Sequence, residues 1–174
     1  IPVLAAFTIA YSFGEGMGRL ACISFGCCYG KPLSRSHSLM QRFFRNNHFM
    51  FSGETKKIAY EGGLNGVKVI PIQAITAVLY ITTGIVGILF FLKSYYITAF
   101  VLTMTVTQLW RSLSEMFRAD YRGGGKISAY QIMAIVSIAY SFSIVSFLPF
   151  ALVARPDVTI GLLSLWNPAL LFFF

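Results

Sequence analysis

Two arginine–glutamate pairs lie near the ends of apolar segments in this 174-residue chain. Glu15 and Arg19 are four residues apart, which places both side chains on one face of a helix. Arg111 and Glu115 repeat that spacing, and Arg118 follows three residues later. Charged residues inside a membrane are costly and mark functional sites. Because a planar guanidinium group binds phosphate oxygens in a bidentate manner, these residues indicate recognition of an anionic lipid headgroup.

Each pair also has a structural interpretation, in which an arginine and a glutamate hold two helices together. Two pairs, each near a glycine-rich segment, favour one shared anion pocket over two separate structural pairs. Glycines at the first pair permit a close approach of backbone or ligand; they are Gly14, Gly16, Gly18 and Gly26.

The chain's three cysteines, Cys22, Cys27 and Cys28, fall within seven positions. Adjacent cysteines do not form a simple structural disulfide, and no spacing typical of a zinc site is present, so we expect no metal. Two interpretations stay open: small buried residues packed against a helix, which we favour, and a reactive thiol. His37 and His48 have no partner at metal spacing, and we expect them to be ordinary loop residues.

The composition indicates a membrane protein. The chain is 56% hydrophobic and 11% charged, with a mean hydropathy of +0.70, whereas soluble domains carry about 25% charged residues. The net charge of +8 comes from basic residues that flank apolar segments. We therefore expect an anionic phospholipid as partner and no nucleic acid. The chain contains no P-loop, dinucleotide fingerprint or Ser/His/Asp order.

The apolar runs predict an all-α, polytopic membrane protein with about four to five transmembrane helices in a single domain. Because the chain begins without Met, we expect it to be part of a longer protein. The predicted segments of 1–174 are a first helix with its turn (1–30, apolar over 2–25), a basic interfacial loop (31–68), three transmembrane helices (69–152, with spans 69–92, 97–117 and 128–152) and a C-terminal apolar segment (153–174).

Local signals add detail to these segments. The basic and aromatic stretch 39–45 is compatible with a short amphipathic helix at the interface or with a solvated loop. Three consecutive glycines predict a loop over 118–127. Ser128 is a suitable N-cap for the following helix, and Pro149 is expected to bend or end it.

Three motifs in this order resemble the bacterial prolipoprotein diacylglyceryl transferase family over residues 1–145. The first is Gly18-Arg19 followed by Gly30. The second is Pro71-Ile72-Gln73 at a helix start. The third combines Arg111, Glu115 and Arg118 with a later Ser-x-x-Gln helix start at Ser128 and Gln131.

The resemblance implies a seven-helix enzyme of the bacterial inner membrane. Such an enzyme moves diacylglyceryl from phosphatidylglycerol to the lipobox cysteine thiol of a prolipoprotein, without a cofactor, and releases glycerol phosphate. By this resemblance Arg19 and Arg111 hold the phosphate and Glu115 orients an arginine, as catalytic residues. Further residues are implied in substrate binding: Gly18, Cys22, Cys27, Gly30, Gln73 and Arg118. The resemblance implies the prolipoprotein signal region as a partner, whereas the alternative given below adds other membrane subunits.

The chain departs from the family pattern at several positions. Cys22 stands in place of an Asn, Cys27 in place of a Glu, Thr107 in place of a Tyr, and Ile75-Thr76 in place of Tyr-Glu. Loss of these groups supports an alternative, a non-catalytic lipid-binding membrane subunit of a larger complex. The glycine-rich first helix is also compatible with a third interpretation, in which the chain is a segment of a transporter. The excess of basic residues in 31–68 and 118–127 favours a cytoplasmic side for these loops, whereas the resemblance places the motifs toward the periplasm.

Overall fold

The computed structural model describes residues 1–120, 127–148 and 155–168. The protein is mostly helical, at 69% of the described residues. Within the described ranges the elements run in the order α1 (Pro2–Phe25), α2 (Ser38–Phe43), β1 (Phe49–Met50), α3 (Lys57–Tyr60), β2 (Lys68–Val69), α4 (Ile72–Leu92), α5 (Tyr96–Ser114), α6 (Ala129–Phe147) and α7 (Val158–Ser164).

Local chemistry sets both ends of α1. Pro2 occupies the first turn, where its missing N–H group would have no helical partner. Gly26 ends the helix with φ of 64°, in the left-handed region that glycine adopts without a Cβ penalty. Helix α1 packs against α4 and α5. Thr8 of α1 accepts a hydrogen bond of 2.8 Å from the Thr103 hydroxyl of α5, which fixes the depth of the two helices relative to each other.

Two helices in the described part of the chain, α4 and α6, are long and apolar enough to cross a membrane. Only 11% of the most apolar window of α6 is buried within the protein, so most of this apolar helix faces outward. Helices α1 and α5 form close to the predicted bounds, yet the crossing of the membrane by four to five helices stays a prediction. Helix α7 has seven residues and is too short to span a bilayer.

Residues 31–68, predicted to be a basic loop, form a folded region. Strands β1 and β2 pair antiparallel, with Phe49 opposite Val69. Apolar side chains between the basic residues supply a small core of their own, formed by Tyr29, Phe51, Ile58 and Val69. For residues 39–45 the sequence allowed a short helix or a loop. The structure has a helix over most of this stretch, as α2. His37 is its N-cap, since its Nδ1 accepts from the Leu39 N–H at 3.4 Å.

The end of α5 differs from the predicted helix over 97–117. The α-helix ends at Ser114, a 3₁₀ turn covers Glu115–Phe117, and Arg118 is extended. The segment after α5 instead bonds to the turn after α1: the Lys31 N–H donates to the Phe117 carbonyl at 2.8 Å, and the Ala119 N–H donates to the Tyr29 carbonyl at 3.1 Å. These backbone bonds replace continued helical ones, so the predicted helical stripe from Arg111 to Arg118 is wrong in its last part.

Helix α6 begins with the predicted cap. Ser128 accepts from the Gln131 N–H at 3.2 Å, and the Gln131 side chain accepts from the Ser128 N–H at 3.0 Å, which completes a capping box. Most of the predicted glycine-rich loop, residues 121–126, and the predicted bend at Pro149 lie outside the described residues.

Candidate functional site

A small hollow lies between α1, α4 and the end of α5. Three arginines and a glutamate line it together with the polar side chains of α4 and α5. The lining residues are Arg19, Thr76, Tyr80, Arg111, Ser114, Glu115 and Arg118, and we refer to it as the arginine hollow. Its volume is about 30 Å³. Guanidinium groups from two separate helices, Arg19 of α1 and Arg111 of α5, therefore face one enclosed space.

Arg19 is held by its neighbours on and after α1. Its Nη2 donates to Glu15 Oε2 at 2.8 Å, and its Nη1 lies 3.6 Å from the Cys28 sulfur. The side chain of Arg19 is 21% exposed. Its Nε is buried and has no hydrogen-bond partner in the described structure. Because a buried donor without a partner is costly, this N–H is available to an acceptor that enters the site.

Arg111 is held by two aromatic residues that the sequence analysis did not identify. Its Nη1 donates to the Tyr11 hydroxyl of α1 at 3.1 Å. The guanidinium carbon lies 5.1 Å from the centroid of the Tyr130 ring of α6, a cation–π distance. The structure therefore supports Arg111 from the flanking helices. The spacing of tyrosines in the sequence carries no signal for these contacts, which join Arg111 to residues on two other helices.

Arg118 forms a buried ion-pair network. Its Nε donates to Asp120 Oδ1 at 2.9 Å and its Nη2 donates to Asp120 Oδ2 at 3.1 Å, a bidentate pair. Glu115 Oε1 lies 3.9 Å from its Nη1, and each of the three side chains is less than a tenth exposed. Asp120 was missed in the sequence, because residues two apart share a face only when the backbone is extended, and a helix was expected up to 117.

The remaining predicted site residues have other positions. Gln73 is 1% exposed; its Nε2 donates to the Cys27 carbonyl at 3.0 Å, and its Oε1 has no partner in the described structure. Gly30 forms an isolated bridge with Arg118, and a Cβ there would collide with the Ile70 carbonyl. Gly18 is exposed, with no atom within 4 Å of a Cβ built on it.

The three cysteines form one group, which we call the thiol cluster (Cys22, Cys27 and Cys28). None of the three forms a disulfide and all are partly exposed, so the favoured expectation of small buried residues is wrong. Their sulfur atoms lie within 4.8 Å of one another, and those of Cys22 and Cys28 are 3.9 Å apart. None of them lines the arginine hollow in the described structure.

The two thiols after α1 have opposite electrostatic surroundings. Burial and a hydrogen bond with Cys22 raise the pKa of Cys27 to about 12. Burial also raises the pKa of Cys28, but the positive charges of Arg118 and Arg19 outweigh it, so the pKa of Cys28 is below its ordinary value. The cluster therefore pairs one thiol whose pKa is lowered, Cys28, with one whose pKa is raised, Cys27.

A larger apolar groove adjoins the arginine hollow. Its volume is about 370 Å³, and it lies between α1, α5 and α6. The residues that line it are Phe7, Thr8, Tyr11, Met104, Gln108, Arg111, Met133 and Ser137. Arg111 borders both spaces. A groove of this volume is within the range of small-molecule pockets, and a cation at its inner end suits an amphiphile with an anionic group.

A helical protein with an arginine-lined hollow beside an apolar groove has the features of a protein that handles lipids. The model of one protein family, described as prolipoprotein diacylglyceryl transferase, matches residues 1–147. The chain belongs to the prolipoprotein diacylglyceryl transferase family, as its three motifs indicated. This family connects it with transferase chemistry and lipoprotein biosynthesis. Neither the comparison with curated proteins nor that with solved structures gave a match.

Proposed function

We propose that this protein binds an anionic phospholipid, phosphatidylglycerol, and transfers its diacylglyceryl group to the cysteine thiol of a prolipoprotein signal region. The observation that carries the proposal is the arrangement of Arg19 and Arg111, which come from separate helices and line one hollow. We further propose that the single domain, with four to five membrane crossings, lies in the bacterial inner membrane.

The phosphate of the lipid binds in the arginine hollow. Space of about 30 Å³ holds about two or three water molecules, since one occupies roughly 10–15 Å³ by this measure. A phosphate therefore enters by displacing water and by a shift of the Arg111 side chain. Arg111 is held by a neutral hydrogen bond to Tyr11 and by the Tyr130 ring, whereas Arg19 and Arg118 are held by carboxylates. The unpartnered Nε of Arg19 supplies a further donor.

The acyl chains occupy the apolar groove. Arg111 lies at the point where the groove meets the hollow, so a lipid whose phosphate contacts Arg111 extends its glycerol and chains between α1 and α6. Exposed apolar side chains on α6, including Met133 at 60% exposure, continue this surface outward. Such continuity allows a lipid to enter from the bilayer without passing through water.

The reaction is a displacement at the glycerol carbon that bears the phosphate. The acceptor thiol loses its proton, the thiolate sulfur bonds to this carbon, and the carbon–oxygen bond to the phosphate breaks. Glycerol phosphate leaves with the bonding electron pair. Arg19 and Arg111 stabilise the charge that grows on the leaving phosphate, which is electrostatic catalysis. Glu15, which pairs with Arg19 at 2.8 Å, is the candidate base that accepts the thiol proton.

The second candidate function is that of a non-catalytic lipid-binding membrane subunit. The observation that favours it is the closure of Arg118 by Asp120 and Glu115, which leaves this guanidinium neutralised by carboxylates. Cys22 and Cys27 also favour the second function, because they stand where the family pattern has an Asn and a Glu. A thiol does not replace the hydrogen bonds of an amide or the charge of a carboxylate.

The test is native mass spectrometry of the purified protein for co-isolated phospholipid, followed by a transfer assay with a lipobox peptide. We expect bound phosphatidylglycerol and transfer in the natural protein, and loss of both in Arg111→Ala. Arg35→Ala, an exposed arginine away from the hollow, is the matched control. Lipid retention without transfer supports the second function, and transfer that survives Arg111→Ala contradicts the first.

A further inference from the structure

The thiol cluster has the geometry of a metal-binding site that neither the family nor the proposed transfer reaction assigns. Its three sulfur atoms lie within 4.8 Å of one another, with 3.9 Å between Cys22 and Cys28. Three thiolates bound to one ion at about 2.3 Å lie roughly 4 Å apart. Ligation therefore requires only a small closure of the existing cluster.

The backbone turns the three side chains toward one point. Cys22 lies in the last turns of α1, and the left-handed cap at Gly26 reverses the chain so that the Cys27 N–H donates to the Cys22 carbonyl at 3.1 Å. Cys28 has φ of 55°. In an extended chain, adjacent side chains point to opposite sides; the left-handed conformation at Cys28 removes that alternation and brings the two neighbouring thiols together. A non-glycine residue in this region is uncommon and associated with functional sites.

Contacts from outside the turn hold this arrangement. Gln73 of α4 donates to the Cys27 carbonyl at 3.0 Å, and the following residue, Tyr29, is 2% exposed. Arg19 Nη1 lies 3.6 Å from the Cys28 sulfur. Donors of this kind orient and stabilise metal-bound ligands as an outer layer of contacts. Arg19 also supplies positive charge beside the sulfur of Cys28.

The ligand set selects the type of ion. Three sulfur donors bind soft ions and reject hard ions such as magnesium or calcium, which require oxygen. The guanidinium group of Arg19, 3.6 Å from the Cys28 sulfur, offsets part of the negative charge of a three-thiolate site, so a monovalent ion suffices. We propose that Cys22, Cys27 and Cys28 together bind one copper(I) ion.

The test uses the full chain in detergent under reducing, oxygen-free conditions, with copper(I) titrated against a chromogenic copper(I) chelator. We expect one copper(I) per chain. We expect Cys→Ser substitution at each of the three positions to weaken binding by about 100-fold or more, beyond the 10–100-fold typical of outer contacts. Ser24→Ala, at an exposed position on the same helix end, is the matched control and retains binding.

A second measurement does not depend on variants. These 174 residues contain three cysteines, so copper(I) is expected to protect all three thiols from alkylation, read by intact mass. An excess of the chelator is expected to make all three reactive again. Unchanged binding in Cys27→Ser would overturn the proposal. So would one copper per two chains, or an affinity equal to that of the unfolded chain. None of these readouts involves lipid transfer, so failure here is distinct from failure of the proposed function.

Discussion

Arg111 donates a hydrogen bond of 3.1 Å to the hydroxyl of Tyr11, and this contact connects α5 to α1 at the boundary between the arginine hollow and the apolar groove. The bond fixes the guanidinium group where a lipid phosphate and its acyl chains would meet. Tyr11 is thereby a positioning residue for Arg111.

Tyr11→Phe is expected to weaken lipid retention about fivefold, because the loss of one such hydrogen bond costs about 1 kcal/mol. Native mass spectrometry with added phosphatidylglycerol measures the change. Tyr140→Phe, which removes a hydroxyl from a residue 64% exposed on α6, should leave retention unaltered. Equal loss in both variants would argue against a role for the Tyr11 contact.

Arg111→Lys separates charge from shape. Lysine keeps the positive charge but lacks the planar fork that binds phosphate in a bidentate manner. We expect retention of lipid to fall about tenfold or more, given about 1.5–3 kcal/mol for a charge-assisted hydrogen bond. If lysine supports full retention, Arg111 acts as a simple point charge and bidentate recognition is wrong.

Gly30→Ala and Gly18→Ala form a matched pair. A Cβ at Gly30 would collide with the Ile70 carbonyl, so we expect about 1–3 kcal/mol of destabilisation. A Cβ at Gly18 meets nothing within 4 Å in the interior of α1, and alanine there should stabilise the helix by about 0.5–1 kcal/mol. Unfolding in mixed detergent micelles measures both.

Gly18→Ala has a second use. If this variant unfolds normally but no longer retains lipid, then a substrate contacts Gly18, as the family motif implies. If Gly18→Ala retained lipid fully, Gly18 would have no part in lipid binding.

Asp120→Asn tests the buried network after α5. Removing one charge from a buried pair leaves the Arg118 guanidinium poorly compensated, and we expect the free energy of unfolding to fall by about 3 kcal/mol. Glu61→Gln is the control, since its pair with Lys57 is solvent-exposed and is expected to give no measurable change. If Asp120→Asn lowered the free energy of unfolding no more than Glu61→Gln, the Arg118 network would not stabilise the fold.

The sequence predicted the features that depend on nearby residues. The bounds of α1, the Ser128 cap and the Glu15–Arg19 pair each follow from chemistry within one or two helical turns. These signals survive in the fold because tertiary contacts do not oppose them.

The sequence did not predict the features that depend on contacts between residues far apart in the chain. The turn after α1 binds the segment after α5, which straightens the backbone at Arg118 and brings Asp120 to it. The support of Arg111 by Tyr11 and Tyr130 likewise joins three helices. No local periodicity reports such contacts, so the sequence indicated Arg111 and Arg118 but not their partners Tyr11, Tyr130 and Asp120.

The hydrogen bonds between Lys31 and Phe117 and between Ala119 and Tyr29 use peptide groups alone. The contact that sets the distance between the end of α1 and the end of α5 therefore does not depend on the side chains at these positions. An amide or a carboxylate near this turn can therefore be exchanged for a thiol while the spacing of the arginines is retained. Such a backbone arrangement allows new chemistry to evolve by single substitutions.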